Sequence, residues 1–241
     1  MRIGVVSDIH SNLTALLTVL DDMGPVDALW CLGDFVGYGP WPNECIDLLR
    51  ERGAQAIAGN HDLAAIGTIP CDDFNGDAAF AAQWTADALT SDARAYLQSL
   101  QPMLEVDGVT LAHGTPREPV WEYMLSAGAA AASFDTIRTD LCFVGHTHIP
   151  SLFIEDESGM PEVRYMAGES ASDSAPFRRI VNPGSVGQPR DRDPRAAYLV
   201  YDVDAAQLSW KRVAYDVAKV QKRMRKLGLP GFLVERLAYG V

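Results

Sequence analysis

The chain lacks the marks of a membrane-spanning, disulfide-stapled or polyanion-binding protein. No apolar stretch approaches the ~20 residues that a membrane helix needs. Cysteine is scarce: there are four, Cys31, Cys45, Cys71 and Cys142, none with Cys-x-x-Cys spacing. They sit mostly among apolar neighbours, so buried reduced thiols are expected, not a disulfide framework or a thiolate zinc site. Positive charge is also short, with 20 Lys and Arg against 32 Asp and Glu and a net charge of −12. Such an acidic body repels polyanions, and nonspecific nucleic-acid binding is not expected. The basic run Lys219 to Lys226 is the exception. Val217, Val220, Met224 and Leu227 give it amphipathic helical spacing, which makes the charges a wet face. The opening Met1-Arg2-Ile3-Gly4-Val5-Val6-Ser7-Asp8 is too short for a signal peptide and runs straight into a polar motif. A cytoplasmic location is therefore expected, with no membrane partner.

Histidine is scarce too, and none is spare. The five histidines lie in short polar clusters: Asp8-Ile9-His10, Gly59-Asn60-His61-Asp62, Ala112-His113-Gly114 and Gly145-His146-Thr147-His148. Gly33-Asp34 is a further cluster without histidine. Nearly all follow apolar runs that read as strands: Ile3–Val6, Ala28–Leu32, Ala56–Ala58, Val109–Ala112 and Leu141–Val144. Parallel sheets bind ligands at the edge where their strands end. Imidazole, carboxylate and amide oxygen gathered there are donors for divalent cations.

At 241 residues the chain can bury one substantial core, and one domain over 1–241 is expected. The first half alternates strand and helix patterns. Asn12 is expected to cap a helix carrying Leu13, Leu16, Leu17, Leu20 and Met23, which Gly24-Pro25 ends. Asn43 is expected to cap a helix running to about Arg52. Residues from about 62 to 100 read as an alanine-rich helical insertion or cap, with Ser91 as a cap residue. A helix is expected near Ala127 to Phe134. In the last third, strand patterns at Ser151–Glu155, Glu162–Met166, Arg178–Val181, Ala196–Asp202 and Leu208–Val213 suggest a mostly antiparallel second sheet packed on the first. The predicted fold is a two-sheet α/β sandwich with helices on the outer faces.

Singly the clusters mean little, because Asp-x-His and Gly-Asp are ordinary turn material. Together, in order and each at a strand end, they point to a metal centre. Asp8 and Asp34 supply about two negative charges against about four positive from two divalent cations, leaving roughly +2, which suits a hydroxide and a phosphate oxygen.

The run Asp-x-His, Gly-Asp, Gly-Asn-His-Asp, His-Gly and Gly-His-Thr-His resembles the calcineurin-like metallophosphoesterase superfamily. The likeness spans residues 1 to about 190 and is strongest to small prokaryotic phosphoesterases. The later Asn182-Pro183-Gly184-Ser185-Val186-Gly187 is similar to a loop of those proteins. The resemblance implies that Asp8, His10 and His148 hold a first metal, Asn60, His113 and His146 a second, and that Asp34 bridges them. It implies a bridging hydroxide as nucleophile. His61 would not ligate metal but would face the phosphate beside Asn60, stabilising the transition state or protonating the leaving oxygen. Two ions among Mn, Fe, Zn, Co and Ni suit the mixed donors, manganese first among them.

Protein phosphatases and symmetrical dinucleoside tetraphosphate hydrolases of that superfamily carry Gly-Asp-x-x-Asp-Arg-Gly. Here Gly37 stands for the Asp that would orient the histidine and Tyr38 for the phosphate-gripping Arg. Asp62, a backbone carbonyl, or nothing would then orient His61. Lacking that bidentate arginine for a dianionic monoester, the chain is expected to be a phosphodiesterase on a small or nucleotide-type substrate. The alternatives are a phosphomonoesterase or protein phosphatase, and a catalytically silent metal-binding scaffold for a protein partner. Tyr38 and Trp41 either wall an aromatic leaving group or pack a Gly/Pro loop. Arg190 and Arg192 are candidates for a substrate anion, opposed by the acidic neighbours Asp191 and Asp193. Tyr123 and Met124 read as packing residues.

Overall fold

In β1 (Arg2–Val6) the side chains alternate between two apolar environments. Ile3 and Val5 enter a core shared with Trp30, Leu111, Phe143 and Leu199, while Val6 joins another core with Leu16, Val19 and Ile46. A strand buried on both faces is the signature of a sheet covered twice. A computed structural model describes residues 1–155, 160–166, 170–174 and 177–241. It consists of two six-stranded sheets packed face to face.

The first sheet has the order β3 (Gln55–Ala56), β2 (Ala28–Cys31), β1, β11 (Ala196–Asp202), β12 (Gln207–Val213), β9 (Ser170–Asp173). The second has the order β4 (Met103–Val106), β5 (Val109–Ala112), β6 (Leu141–Val144), β10 (Arg178–Asn182), β7 (Ser151–Glu155), β8 (Glu162–Tyr165). Each is mixed. β1, β2 and β3 run parallel, as do β5, β6 and β10, and the remaining pairings are antiparallel. Trp30, Leu111, Phe143, Val181, Leu199 and Trp210 fill the space between the sheets. Each such side chain contributes about 1.5–3 kcal/mol on burial.

Helices α1 (Leu13–Met23), α2 (Pro42–Glu51) and α5 (Ser91–Ser99) cover the outer face of the first sheet through Leu16, Ile46, Leu49 and Leu97. Helix α6 (Ala127–Phe134) covers the second through Phe134. Helix α3 (Asn60–Ala65) starts directly at the Asn60-His61 pair, and α4 (Gly76–Ala88) packs Ala78 and Ala81 against the C-terminal α7 (Val217–Lys226) and α8 (Gly231–Glu235). Val220 and Met224 form the buried stripe of α7, as their spacing predicts. Among the described residues no helix is long and apolar enough to cross a membrane.

Three expectations need correction. The last third does not build a sheet of its own: β7, β8 and β10 join one sheet and β9, β11 and β12 the other. Alternation in a strand tells which face is buried, not which neighbour it pairs with. The apolar β10 and β11 therefore insert beside β6 and β1, at the centre of each sheet. Asn43 does not cap α2, whose N-cap is Trp41; its side chain instead ties Ala88 O and Thr90 N, at 2.8 and 2.9 Å. Ser91 is the first residue of α5, and Thr90 caps it by accepting from Ala93 N. Asn12 does cap α1, accepting from Ala15 N at 3.1 Å while donating to Gly187 O at 3.0 Å.

Candidate metal centre

The parallel strands of both sheets end at one edge of the sandwich, and the polar clusters meet there. Asp8 and His10 follow β1, Asp34 follows β2, Asn60 and His61 open α3 after β3, His113 follows β5, and His146 and His148 follow β6. All eight are buried. The chain turns sharply to aim them: Asp8, His10, Asp34, His146 and His148 hold φ between +46° and +65°. That left-handed conformation costs a residue with a Cβ about 1–2 kcal/mol, and such strain gathers where a site over-determines its backbone. Neighbouring loops hold it. Ser185 Oγ donates to Asp8 O at 2.8 Å, Gly187 N to Asp8 O at 2.9 Å, and Asn182 Nδ2 to Gly145 O at 2.7 Å. The Asn182-to-Gly187 loop thus ties the Asp8 turn to the Gly145 turn across the two sheets.

The ring nitrogens are committed in a pattern. Nδ1 of His10, His113 and His148 bonds the backbone carbonyls of Val36, Leu32 and Gln188, at 2.9, 2.8 and 2.5 Å. A carbonyl only accepts, so these bonds put a proton on Nδ1 and leave Nε2 as the inward atom. His146 is reversed: Nε2 meets Trp121 O at 3.2 Å, which leaves Nδ1 as its inward atom. Asp34 Oδ1 accepts from His61 N at 2.9 Å, and its Oδ2 lies 3.5 Å from Nε2 of both His10 and His113. Asp8 Oδ1 lies 3.3 Å from His148 Nε2. Asn60 Oδ1 lies 3.1 Å from His113 Nε2.

Burial dominates the electrostatics. It drives the Asp8 carboxyl up and the imidazoliums of His10 and His148 well down, with His146 falling to about 3 and His61 to about 4. Burial opposes charge on Asp34 as well, yet His113 and His61 beside it outweigh that and hold it below the usual carboxylate range. His113 answers in kind. Burial lowers it, but Asp34 raises it more, to about 9. The trio of Asp34, His113 and Asn60 thus attracts positive charge, which a cation bound by the same donors would satisfy.

These residues fit divalent cations. Donor atoms of Asp8, His10, Asp34 and His148 lie within 4.8 Å of one another, as do those of Asp34, His113 and His146. Asp34 belongs to both groups, and its Oδ2 is buried without a hydrogen-bond partner. Nε2 of His10 and Nε2 of His148 stand 3.1 Å apart with neither available as a donor, an arrangement that a cation would relieve. The set mixes nitrogen and oxygen without thiolate, which suits borderline first-row ions.

His61 stands beside this group. Its ring is 4.9 Å from His10, 4.4 Å from Tyr38 and 4.8 Å from Phe74. Asp62 does not orient it. That carboxylate accepts from Val36 N and Gly59 N, at 3.1 and 2.9 Å, and braces two loops. His61 Nδ1 is buried without a partner, and a Cβ on Gly37 would lie 2.6 Å from it. With φ at +89°, Gly37 is a position that a side chain could occupy only with strain and by displacing the imidazole.

A cavity of about 90 Å³ opens above the donors, lined by Asp34, Asn60, His61, His146 and His148. That is several times the ~10–15 Å³ that one water needs, room for a phosphate-sized group. Phe74, Trp121 and Tyr123 also line it, and the sequence reading missed all three as site residues. Tyr123 packs at the surface, on the site itself. Its ring stacks on His146 at 4.1 Å and is 45% exposed. A Trp-x-Tyr pair shortly after the His113 cluster was the only sequence signal. Met124 is buried in the core under α6. Trp41 packs against the C-terminal helices, away from the cavity lining, whereas Tyr38 and Arg190 line the cavity. The acidic neighbours expected to neutralise Arg190 bond elsewhere: Asp191 to Arg212, and Asp193 to Arg195 at 2.7 Å.

Residues 1–206 match the calcineurin-like phosphoesterase superfamily domain. The chain is 38% identical over 250 aligned positions to an uncharacterized protein of Methanocaldococcus jannaschii, covering 99% of this chain and 98% of that one. Among solved structures it is similar to a metallophosphoesterase from Sphaerobacter thermophilus, with a TM-score of 0.92 and 45% identity over 100% of this chain and 99% of that one. A hypothetical protein from Pyrococcus horikoshii OT3 shares the fold, with a TM-score of 0.82 and 20% identity over 100% of this chain and 98% of that one.

Proposed function

The chain belongs to the calcineurin-like phosphoesterase superfamily, and from that premise we propose that it is a two-metal phosphodiesterase acting on a small or nucleotide-type phosphate ester. The observation that carries this reading is the meeting of donors from both sheets around the unpartnered Asp34 Oδ2. Asp8, His10 and His148 would hold one ion, Asn60, His113 and His146 the other, and Asp34 both. When bound, the ions supply Lewis acidity that activates water at neutral pH and offsets charge on the phosphoryl oxygens. Manganese is the first ion to try, with Fe, Co, Ni and Zn next.

The chain's own residues do the rest. Carbonyls behind His10, His113 and His148 fix the tautomer that leaves Nε2 bare. The His61 backbone N–H fixes Asp34 so that Oδ2 faces inward. Burial keeps His61 neutral, and an Nδ1–H beside Gly37 would be a buried donor without an acceptor. With its proton on Nε2, the neutral imidazole would donate a hydrogen bond to a phosphoryl or leaving oxygen.

The diester preference rests on the rim. Phe74 and Trp121 meet edge to face at 5.3 Å and Tyr123 stacks on His146, so aromatic rings stand at the mouth beside the polar Asp73 and Asn75. A second ester substituent, which a diester has and a monoester lacks, can pack on those rings. The domain works as one unit over 1–241, in the cytoplasm, where its buried free Cys31, Cys45 and Cys142 stay reduced.

Metal-stripped protein reloaded with each ion, then given bis(p-nitrophenyl) phosphate and p-nitrophenyl phosphate, tests the reading. Metal-dependent turnover with the diester preferred is expected. Monoester preference under several metals would replace the phosphodiesterase with a phosphomonoesterase. Silence under all of them, on a broad ester panel, would favour the scaffold.

A further inference from the structure

We propose that Arg190 is the residue that grips the phosphoryl oxygens of the substrate in the cavity. This rests on the reading of the centre as a phosphoesterase site. Arg190 is the one lysine or arginine among the described residues lining the cavity. An arginine carries five N–H donors and normally places them on carboxylates. Arg190 has no carboxylate partner among the described residues, since Asp191 bonds Arg212 and Asp193 bonds Arg195. It makes neutral contacts only. Nη2 donates to Gln188 Oε1 at 3.1 Å and reaches the Tyr38 hydroxyl at 3.5 Å, while Nε is buried without a partner. A charged group with unspent donors beside a cavity of phosphate size is incomplete until an anion enters.

Its mount is rigid. The Arg190 backbone N–H points at His148 O, 3.4 Å away, two residues beyond the Gln188 carbonyl that receives His148 Nδ1. The guanidinium carbon stands 6.0 Å from the Tyr38 ring centroid, at the outer range of a cation–π contact. Tyr38 is buried, with its ring 4.6 Å from His10 and its back against Val220, Met224 and Leu233 of the C-terminal helices. Arg190 is thus fixed relative to His10 and His148, whereas Trp121 and Tyr123 border His146. The phosphoryl group would lie between the guanidinium and the ester substituent in the aromatic rim.

Arg190→Ala and Arg190→Lys, each in the full chain loaded with manganese, test this. Three quantities are read: inorganic phosphate affinity by isothermal titration, KM and kcat on bis(p-nitrophenyl) phosphate, and bound metal. Arg190→Ala is expected to weaken phosphate by ~10–100-fold, the value of a charge-assisted pair, with metal content unchanged. Arg190→Lys should retain part of the affinity, and millimolar guanidinium should restore part of it to Arg190→Ala. Phosphate affinity and KM within twofold of the parent would overturn the proposal, and so would loss of metal from Arg190→Ala, because Arg190 would then be a prop for His148. Absence of phosphate binding in the parent overturns it too. A parent that binds phosphate through Arg190 but hydrolyses no ester would refute the proposed activity and leave this inference standing.

Discussion

The floor of the cavity, where Asp34 lies between His10 and His113, and its rim, where Phe74, Trp121 and Tyr123 stand, are held in different ways. Floor residues follow strand ends and are buried, and backbone groups fix His10 Nδ1, His113 Nδ1 and Asp34 Oδ1. Five of them accept left-handed backbone to reach their places. Rim residues sit in irregular segments between elements, and ring contacts hold their side chains. The difference separates chemistry from choice of substrate. A floor that over-determines its donors can keep cations in place through turnover. A rim on loops can change without disturbing that floor.

The largest effect should come from the floor. Asp34→Asn keeps the shape but removes the charge shared by both donor groups, and a loss of several kcal/mol corresponds to at least ~10³-fold in turnover. Bound metal, measured by emission spectrometry, should fall with it; full occupancy in an inactive variant would separate charge from binding and break the distinction. Next comes His61, which touches both regions. His61→Ala should cut kcat by ~10²–10⁴-fold while metal persists. Retained activity would mean that another group stabilises the transition state. The smallest effect belongs to the rim. Trp121→Ala removes a ring but not the carbonyl that receives His146 Nε2. It should raise KM for an aryl diester by ~2–10-fold, the worth of an aromatic contact, and leave a methyl ester nearly unchanged. Equal loss on both substrates would mean that the rim supports the floor.

The two regions were also unequally legible in the sequence. Floor residues are rare types with fixed neighbours at strand ends, so His113 and His146 could be named before any coordinates were known. Rim residues are common aromatics whose roles depend on where their loops pass; nothing local distinguishes Tyr123, at the cavity, from Trp41, which packs against the C-terminal helices. The role of Arg190 stays open in the sequence for the same reason. Its neighbours in sequence are acidic, but Asp191 turns to Arg212 on β12, a pairing that only the fold makes. Strand positions were readable from alternation. Their partners were not, and the last third was assigned to one sheet where it feeds two.

Diffraction at the manganese edge from crystals grown with Mn²⁺ examines the floor most directly. Two anomalous peaks about 3.5–4 Å apart, flanking Asp34 Oδ2, are the predicted result, one beside Asp8, His10 and His148 and the other beside Asn60, His113 and His146. Ions found away from Asp34, or none at all in protein that turns over diester, would contradict it.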